Sequence, residues 1–284
     1  MTFVPVPFTP KNPLLQKHIS YYYFLKTDDP NFETKYYAFP HTNTVLNIHK
    51  GANFEIRDYY TRVYGDPTIN YKVCVQGIRE YPLLAHLQGK LDKVTILFKP
   101  LGLNHFGVNG FGELYPQPSA VFTSWNQNHL YKDFLDSFYQ TDDIALKSEI
   151  LEDFLLKLYQ PIATDHLLYK AIDLLTCFEE NFSIEYICNQ LHTNVRTLSR
   201  AFKKNLGISP GAYRKVARFR HSLQNKLFNA DIKRLTDLAY QSNYYDQPYF
   251  NKMYRSLTGS NPQRFFKKVD SLANDKLIFE FLDN

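Results

Sequence analysis

The stretch SIEYICNQLHTNVRTLSRAFKKNLG, residues 183–207, decides the fold of the second half of this 284-residue chain. Ser183 is a favoured helix N-cap residue. The apolar residues after it recur at helical spacing and would share one face: Ile184, Ile187 and Leu191. His192-Thr193-Asn194 interrupts the pattern, and Asn tolerates the backbone of a tight turn. The stretch therefore predicts a short helix followed by a three-residue turn.

A second helix with two different faces follows the turn. Its predicted buried side chains are Val195, Leu198, Phe202 and Leu206. Its other face carries polar and basic side chains, namely Arg196, Thr197, Ser199, Arg200, Lys203 and Lys204. Gly207 supplies a C-terminal stop, because glycine adopts the left-handed conformation that ends many helices. Helix, short turn and a second helix with a basic outer face form the helix-turn-helix arrangement.

The same pattern recurs about fifty residues later, and such a repeat is hard to obtain by chance. Leu235, Leu238 and Ala239 predict the packing face of another short helix, and Asn243 in the break after it is expected to be left-handed. Asp246 can cap the next helix, whose predicted buried residues are Phe250, Met253, Tyr254 and Leu257. The stops Gly207-Ile208-Ser209-Pro210 and Gly259-Ser260-Asn261-Pro262 end both second helices. Tyr213 to Leu227 predicts one longer basic helix between the two units, on which salt bridges are expected for Arg218 and Arg220.

Charge divides the chain in the same way. Residues 165–270 carry 17 Lys and Arg against 9 Asp and Glu, a net charge of +8, whereas residues 1–164 have a net charge of −1. A near-neutral first half joined to a basic second half is typical of a sensor joined to a nucleic-acid binder.

Residues 170 to 268 resemble the AraC/XylS-type transcription regulators. The resemblance rests on Leu198-Ser199-Arg200-Ala201-Phe202-Lys203, Gly207-Ile208-Ser209-Pro210, Arg218 to Leu227, and Asp246-Gln247-Pro248-Tyr249-Phe250-Asn251-Lys252 with Gly259 and Pro262. Three residues depart from the family pattern, with Asn243 in place of Gly, Cys188 in place of Ala and Tyr254 in place of Phe. None of these departures removes a DNA contact that the family implies.

The resemblance implies that each second helix enters the major groove, one DNA turn or roughly 34 Å apart. The side chains expected at base edges are Arg196, Ser199, Arg200, Gln247, Asn251 and Lys252. Their chemistry agrees, because Arg can bridge guanine O6 and N7 while Asn and Gln can bridge adenine N6 and N7. Lys203, Lys204, Arg255 and the amides at the start of each second helix are expected at phosphates, which position a protein without specifying sequence.

The first half predicts an α+β chain whose N-terminal part is a β-barrel or sandwich with helices after it. Short alternating segments stopped by Gly or Pro indicate strands at Thr44–His49, Tyr71–Gln76 and Val94–Phe98. From His129 the period becomes helical, with a stripe of Leu146, Ile150, Phe154 and Leu158 that serves either core packing or dimerisation. The predicted domains are 1–160, β-rich to about 118 and helical after it, for sensing and dimerisation, 165–270 for the double helix-turn-helix domain, and 271–284 for a C-terminal tail. The segments at Phe98–Gly102 and Phe111–Leu114 resemble the cupin-like sensor domains of some family members.

The expected partners are a double-stranded DNA operator, a small-molecule effector, RNA polymerase and a second copy bound through the first half. Candidate walls for an effector pocket are Tyr21, Tyr22, Tyr23, Phe24, Tyr36 and Tyr37. The favoured alternative is that these side chains are core and surface aromatics of strands. No cofactor and no metal are expected, and the effector leaves no motif that names it. A cytoplasmic location is expected, since no stretch is apolar over the length of a bilayer and Cys74, Cys177 and Cys188 lack metal-ligand spacing.

Three other functions remain open. A cupin-like metal or small-molecule enzyme could use His18, His41, His49, His86 or His105, but their spacing lacks the usual His-x-His with a following Glu. An alkyl-transfer DNA-repair protein would need a reactive Cys near further Cys ligands, whereas Cys74 stands alone in the first half. A purely architectural DNA binder would not need base-contacting residues such as Arg200 and Gln247. A DNA-binding regulator that is not an enzyme is therefore the favoured function.

Overall fold

The computed structural model describes residues 6–162, 165–180, 182–228, 235–272 and 277–282. Residues 6–162 are called the front half below, and residues 165–268 are called the back half. The front half holds two β-sheets and four helices, and the back half holds seven further helices. None of the described helices is long and apolar enough to cross a membrane.

The strands of the front half are short and are separated by tight turns. They are β1 (Ile19–Thr27), β2 (Glu33–Ala38), β3 (Thr44–Lys50), β4 (Ala52–Arg57), β5 (Tyr60–Gly65), β6 (Tyr71–Gln76), β7 (Leu83–Gln88), β8 (Leu91–Phe98) and β9 (Ser119–Val121). Two more strands lie after the back half, β10 (Asp270–Leu272) and β11 (Leu277–Leu282). The three strands expected from alternating sequence all form, as β3, β6 and part of β8.

The strands form two separate sheets, so the front half is a sandwich rather than a closed barrel. One sheet has the order β1-β8-β3-β6-β9, and the other has the order β10-β11-β2-β7-β5-β4. All pairings are antiparallel except β5 with β7. Leu25, Phe54 and Leu87 come from both sheets and pack into one cluster, which shows that the sheets face each other.

Helices cover the other face of the five-stranded sheet. They are α1 (Pro13–His18), α2 (Phe111–Leu114), α3 (His129–Phe138) and α4 (Ile144–Leu158), with a 3-10 helix at Gly102–His105. Buried strand residues such as Ile48 and Ile96 pack there against Phe134, Leu151 and Phe154. The helices of the front half therefore cover the five-stranded sheet of the sandwich.

The back half is helical, as its periodicity predicts. Its helices are α5 (Asp165–Thr176), α6 (Ile184–Gln190), α7 (Val195–Leu206), α8 (Pro210–Phe228), α9 (Leu235–Gln241), α10 (Gln247–Thr258) and α11 (Pro262–Lys268). The linking helix α8 begins three residues earlier than expected, because Pro210 can open a helix whose first amide needs no partner. Its buried Val216, Phe219 and Leu223 join one core with residues of α7 and α10.

One buried position was predicted wrongly, and the predicted stripe on α4 is buried only in part. Val195 is 41% exposed, because it is the first residue of α7 and lies ahead of the crossing with α6. On α4, Leu146 is 44% exposed, and the fully buried side chains are Leu151 and Leu155. The buried face of α4 is therefore rotated from the predicted stripe, of which Phe154 and Leu158 are buried.

The two halves pack against each other, at one point with backbone directly against backbone. Gly112 of α2 packs so closely on the end of α7 that a Cβ there would overlap the carbonyl oxygen of Lys203 and the amide nitrogen of Gly207. Asn104 Nδ2 donates to the carbonyl of Asn205 at 3.0 Å. The chain after the back half returns to the front half, since β11 pairs with β2. The sequence prediction gave this C-terminal tail no structure.

Candidate nucleic-acid interface

The first helix-turn-helix unit consists of α6, a short turn and α7. His192 takes the left-handed conformation in the turn, with a φ of 50°. Asn194 does not occupy that position. Its side chain instead caps α7 by accepting from the Thr197 amide at 2.9 Å. Gly207 ends α7 with a φ of 76°, as expected.

The second unit, α9 and α10, repeats this construction with one additional residue in the turn. Asn243 has a φ of 54°, so the prediction of a left-handed residue here is confirmed. Asp246 caps α10 by accepting from the Tyr249 amide at 2.6 Å, and Gly259 ends the helix with a φ of 72°. Each second helix therefore begins at a capping side chain and ends at a left-handed glycine.

The structure places all nine predicted DNA-contacting residues on α7 and α10. The exposed ones are Arg196, Arg200, Lys203, Lys204, Gln247, Lys252 and Arg255. Ser199 and Asn251 are partly buried. Among the described residues no carboxylate lies within 4.0 Å of any of the six basic side chains, so their charge is not neutralised by the protein itself. Such a surface suits a phosphate backbone.

The helix-end amides are less available for phosphates than expected. The Thr197 amide of α7 and the Tyr249 amide of α10 already donate to their caps. Pro248 at the second position of α10 has no amide hydrogen. The carboxylate of Asp246 would also repel a phosphate at that helix end.

Helix α8 holds the second unit through buried contacts. The hydroxyls of Ser222 and Tyr254 lie 2.7 Å apart, and Ser222 also donates to the Phe219 carbonyl. The guanidinium of Arg218 lies over the rings of Phe178 and Tyr244. Tyr254, where the family usually has Phe, therefore adds a buried hydrogen bond to the core.

Comparison with known proteins also indicates a helix-turn-helix domain in the back half. Residues 187–268 match the family model described as a helix-turn-helix domain. The chain carries an AraC-type helix-turn-helix DNA-binding domain. A curated HTH-type transcriptional regulator of Bacillus subtilis, YtdP, which is described as uncharacterized, is 23% identical over 203 residues, or 70% of this chain. The chain spans about a quarter of the length of that relative, 24%.

Solved structures of ToxT from Vibrio cholerae are also similar. The ToxT of strain O395 is 14% identical and matches 86% of this chain and 97% of its own, with a TM-score of 0.43. The fatty acid-bound wild-type ToxT of strain SCE256 is 16% identical and matches 89% of this chain and 96% of its own, with a TM-score of 0.42.

The AraC-type domain borders the front half along α7. A groove between α2, α5 and α7 is lined by Glu113, His166, Arg200, Lys203 and Lys204 among others. The predicted DNA-contacting face of α7 and the contact with α2 therefore lie on neighbouring sides of one helix. Any shift of α2 relative to α7 would change what surrounds Arg200.

A cavity lies between the two sheets of the front half. Of the six aromatic residues predicted to line a pocket, Tyr21, Tyr23 and Tyr36 do so. Tyr22 and Phe24 lie on the opposite face of β1, since successive side chains of a strand alternate. Tyr37 packs against the core of the back half.

The five histidines considered as metal ligands are dispersed. His41 and His49 line the cavity, the rings of His18 and His105 lie 4.1 Å apart between centroids, and His86 lies 2.8 Å from Glu33. No group of three or more potential metal ligands occurs among the described residues. Cys74 also lines the cavity, and burial raises the pKa of its thiol to about 12.

Arg220 is a lining residue of the cavity that the sequence did not indicate. Its side chain extends from α8 into the lining of the cavity, where no carboxylate of the described residues lies within 4.0 Å. The predicted salt bridge of Arg220 is therefore wrong. The prediction failed because helical periodicity alone does not show that this face of α8 meets the front half.

Proposed function

We propose that this protein is a sequence-specific transcription regulator that binds two adjacent major-groove segments with α7 and α10. The observation that carries the proposal is the repeated unit itself. Two capped second helices present side chains that can contact base edges, and the basic ones have no carboxylate partner within the described parts of the chain. A solvated basic face on one helix is common, but two with matching caps and stops are characteristic of operator recognition.

Within this proposal the side chains have different tasks. Arg196, Ser199 and Arg200 of α7 contact base edges in one segment, and Gln247, Asn251 and Lys252 of α10 do so in the next. Lys203, Lys204 and Arg255 contact phosphates and fix the position of the protein on the duplex.

The proposed domains are a sensor and dimerisation domain at 1–160 and the DNA-binding domain at 165–270. The cavity of the front half is the proposed effector site, and the contact of α2 with α7 offers a route from it to the DNA. Ile144 and Leu146, both exposed on α4, suit a face between two copies of the chain. A regulator of this type acts in the cytoplasm, where RNA polymerase is a further partner, and needs no catalytic step.

The test is in vitro selection of duplex DNA by the full chain at near-physiological salt. Two short motifs about ten base pairs apart should be enriched. The Arg200→Ala, Lys252→Ala double variant should lose or relax that enrichment. A matched double variant, Lys170→Ala with Lys132→Ala, removes the same charge from exposed positions of α5 and α3 and should keep it.

Binding that is salt-sensitive but enriches no motif would refute sequence-specific recognition and favour an architectural DNA binder. Equal loss of enrichment in both double variants would show that net charge, rather than the proposed base contacts, carries the binding.

A further inference from the structure

The cavity between the sheets holds positive charge without any negative charge to balance it. Arg79, Lys93 and Arg220 line it, and no described lining residue is Asp or Glu. Arg79 is only 7% exposed and Lys93 only 4%. Buried charges in proteins are normally paired, so this arrangement indicates a missing anionic partner.

Several buried polar atoms of the cavity lining also lack a hydrogen-bond partner among the described protein atoms. They are Arg79 Nε, His49 Nδ1 and Thr61 Oγ1. His41 Nδ1 accepts from the Asn43 amide at 3.0 Å, which leaves Nε2 as the donor of the neutral ring. Buried polar groups almost always have partners. The cavity therefore offers unused hydrogen-bonding capacity next to its cations.

The electrostatics of the lining favour an anion. Burial lowers the pKa of Lys93 to about 8 and the pKa of Arg220 to about 10. The pKa of His41 lies well below its ordinary value, because of burial and of the charges on Arg220 and Arg79. Both guanidinium groups thus act on one imidazole, although they belong to different halves of the chain. An anion placed among Arg79, Arg220 and His41 would stabilise the cationic form of each of the three side chains.

The remaining walls limit the rest of the ligand. Val63, Leu83, Leu87 and Leu97 contribute apolar surface. The cavity volume is about 90 Å³, whereas a protein cavity of about 150 Å³ holds benzene. A fully polar ion such as inorganic phosphate would leave these apolar walls unused, and a long alkyl chain would not fit. The walls suit a small apolar body that carries one acidic group.

We propose that this cavity binds a compact organic carboxylate, whose anionic group is held by Arg79 of the sandwich and Arg220 of α8. The inference deepens the proposed function, because α8 lies between the two helix-turn-helix units and a ligand on Arg220 would act on their placement. Binding of the acid itself does not depend on DNA recognition.

The first test measures the melting temperature of the full chain with a matched acid and amide. Butyrate should raise it, whereas butyramide, which has the same carbon skeleton, should not. An equal shift with butyramide, no shift with butyrate, an equal shift with inorganic phosphate, or a shift with only a sixteen-carbon acid would each overturn the assignment.

Variants then test the two arginines. Arg79→Met and Arg220→Met should each weaken binding of butyrate by about thirtyfold, as loss of one partner of a buried charge pair does. Without ligand, neither variant should melt at a lower temperature, since each removes an unpaired buried cation. Lys132→Met removes an exposed charge on α3 and serves as the control. Undiminished binding of butyrate to both arginine variants would refute their role.

A second measurement separates this inference from the proposed function. The affinity for the selected operator should change with butyrate in the wild type but not in Arg220→Met. Acid binding without any selected operator would leave the carboxylate site standing and refute the regulator. A selected operator without acid binding would leave the regulator standing and refute the carboxylate site.

Discussion

Replacing Lys93 with Met should make the protein more stable at neutral pH. Lys93 lies on β8 and is 4% exposed, with Tyr23, His49 and Cys74 as titratable neighbours and no carboxylate among the described cavity lining. Its ammonium group contacts Asn47 Oδ1 at 3.4 Å, a weak bond that competes with a 2.8 Å bond from Thr95. Methionine keeps most of the side-chain length, and Asn47 keeps Thr95 as a partner.

The magnitude follows from the pKa. Burial lowers the pKa of Lys93 from its ordinary value of 10.5 to about 8, and each pKa unit corresponds to about 1.4 kcal/mol. Below pH 8 the side chain is charged in both the folded and the unfolded state, so folding carries the full cost of about 3 kcal/mol. Between pH 8 and 10.5 the unfolded state binds more protons, so the cost falls to about 1 kcal/mol at pH 10. Lys93→Met should therefore stabilise by about 3 kcal/mol at pH 7 and about 1 kcal/mol at pH 10.

The assay is urea unfolding at pH 7 and pH 10, followed by the fluorescence of Trp125. Trp125 is the only tryptophan of the chain, and it is buried in the front half, where its Nε1 donates to the Phe106 carbonyl. Lys90→Met removes an exposed lysine of the same half and should change neither value. A gain for Lys93→Met that is absent at pH 7, or equal at both pH values, would refute the claim that a buried, uncompensated charge limits stability here.

Three other substitutions test the contact between the two halves, a proposed DNA contact and the backbone of the turn at Asn243. Gly112→Ala should lower the free energy of unfolding in urea by roughly 1–3 kcal/mol, since its Cβ would overlap backbone atoms at the end of α7. Gly211→Ala, with no atom within 4 Å of its Cβ, should be neutral or slightly stabilising, and equal effects of the two variants would refute the close packing. Lys203→Ala should weaken operator binding and lower the slope of log affinity against log salt by about 1, and an unchanged slope would exclude the phosphate contact. Asn243→Val should lower stability by about 1–2 kcal/mol relative to Asn243→Gly, because both variants lose the hydrogen bond from Asn243 Nδ2 to the Phe178 carbonyl but only valine is strained at a positive φ. Equal melting temperatures of the two variants would exclude backbone strain at this site.

The helix-turn-helix units could be predicted from sequence because local residues determine them. The cap of α10 and the stops at Gly207 and Gly259 each depend on neighbours within four positions. Asn243 was predicted from its turn alone, although its side chain also donates to the distant Phe178 carbonyl. One local error in this part is informative. Asn194 was assigned to the turn conformation, yet His192 adopts it, because a side chain that caps the next helix must lie in extended backbone.

Contacts between distant segments could not be predicted, because they leave no comparable local pattern in the sequence. The closeness of Gly112 to α7 depends on a backbone approach across more than ninety residues of sequence. The pairing of β11 with β2 joins the two ends of the chain, and short strands can equally follow a helical domain without pairing to the first one. The cavity is a product of two sheets and α8 together, so no single segment could indicate which of its aromatic and cationic residues would meet.

The case of Arg218 and Arg220 shows how one helix can serve both halves. Side chains two positions apart on an α-helix point in directions that differ by about 200°. Those of Arg218 and Arg220 accordingly lie on opposite sides of α8. Arg218 lies over the rings of Phe178 and Tyr244, next to the turn of the second helix-turn-helix unit. Arg220 enters the cavity of the front half. A ligand that draws Arg220 toward Arg79 would therefore pull on the helix that positions α10, and it could alter operator binding without touching a DNA-contacting residue.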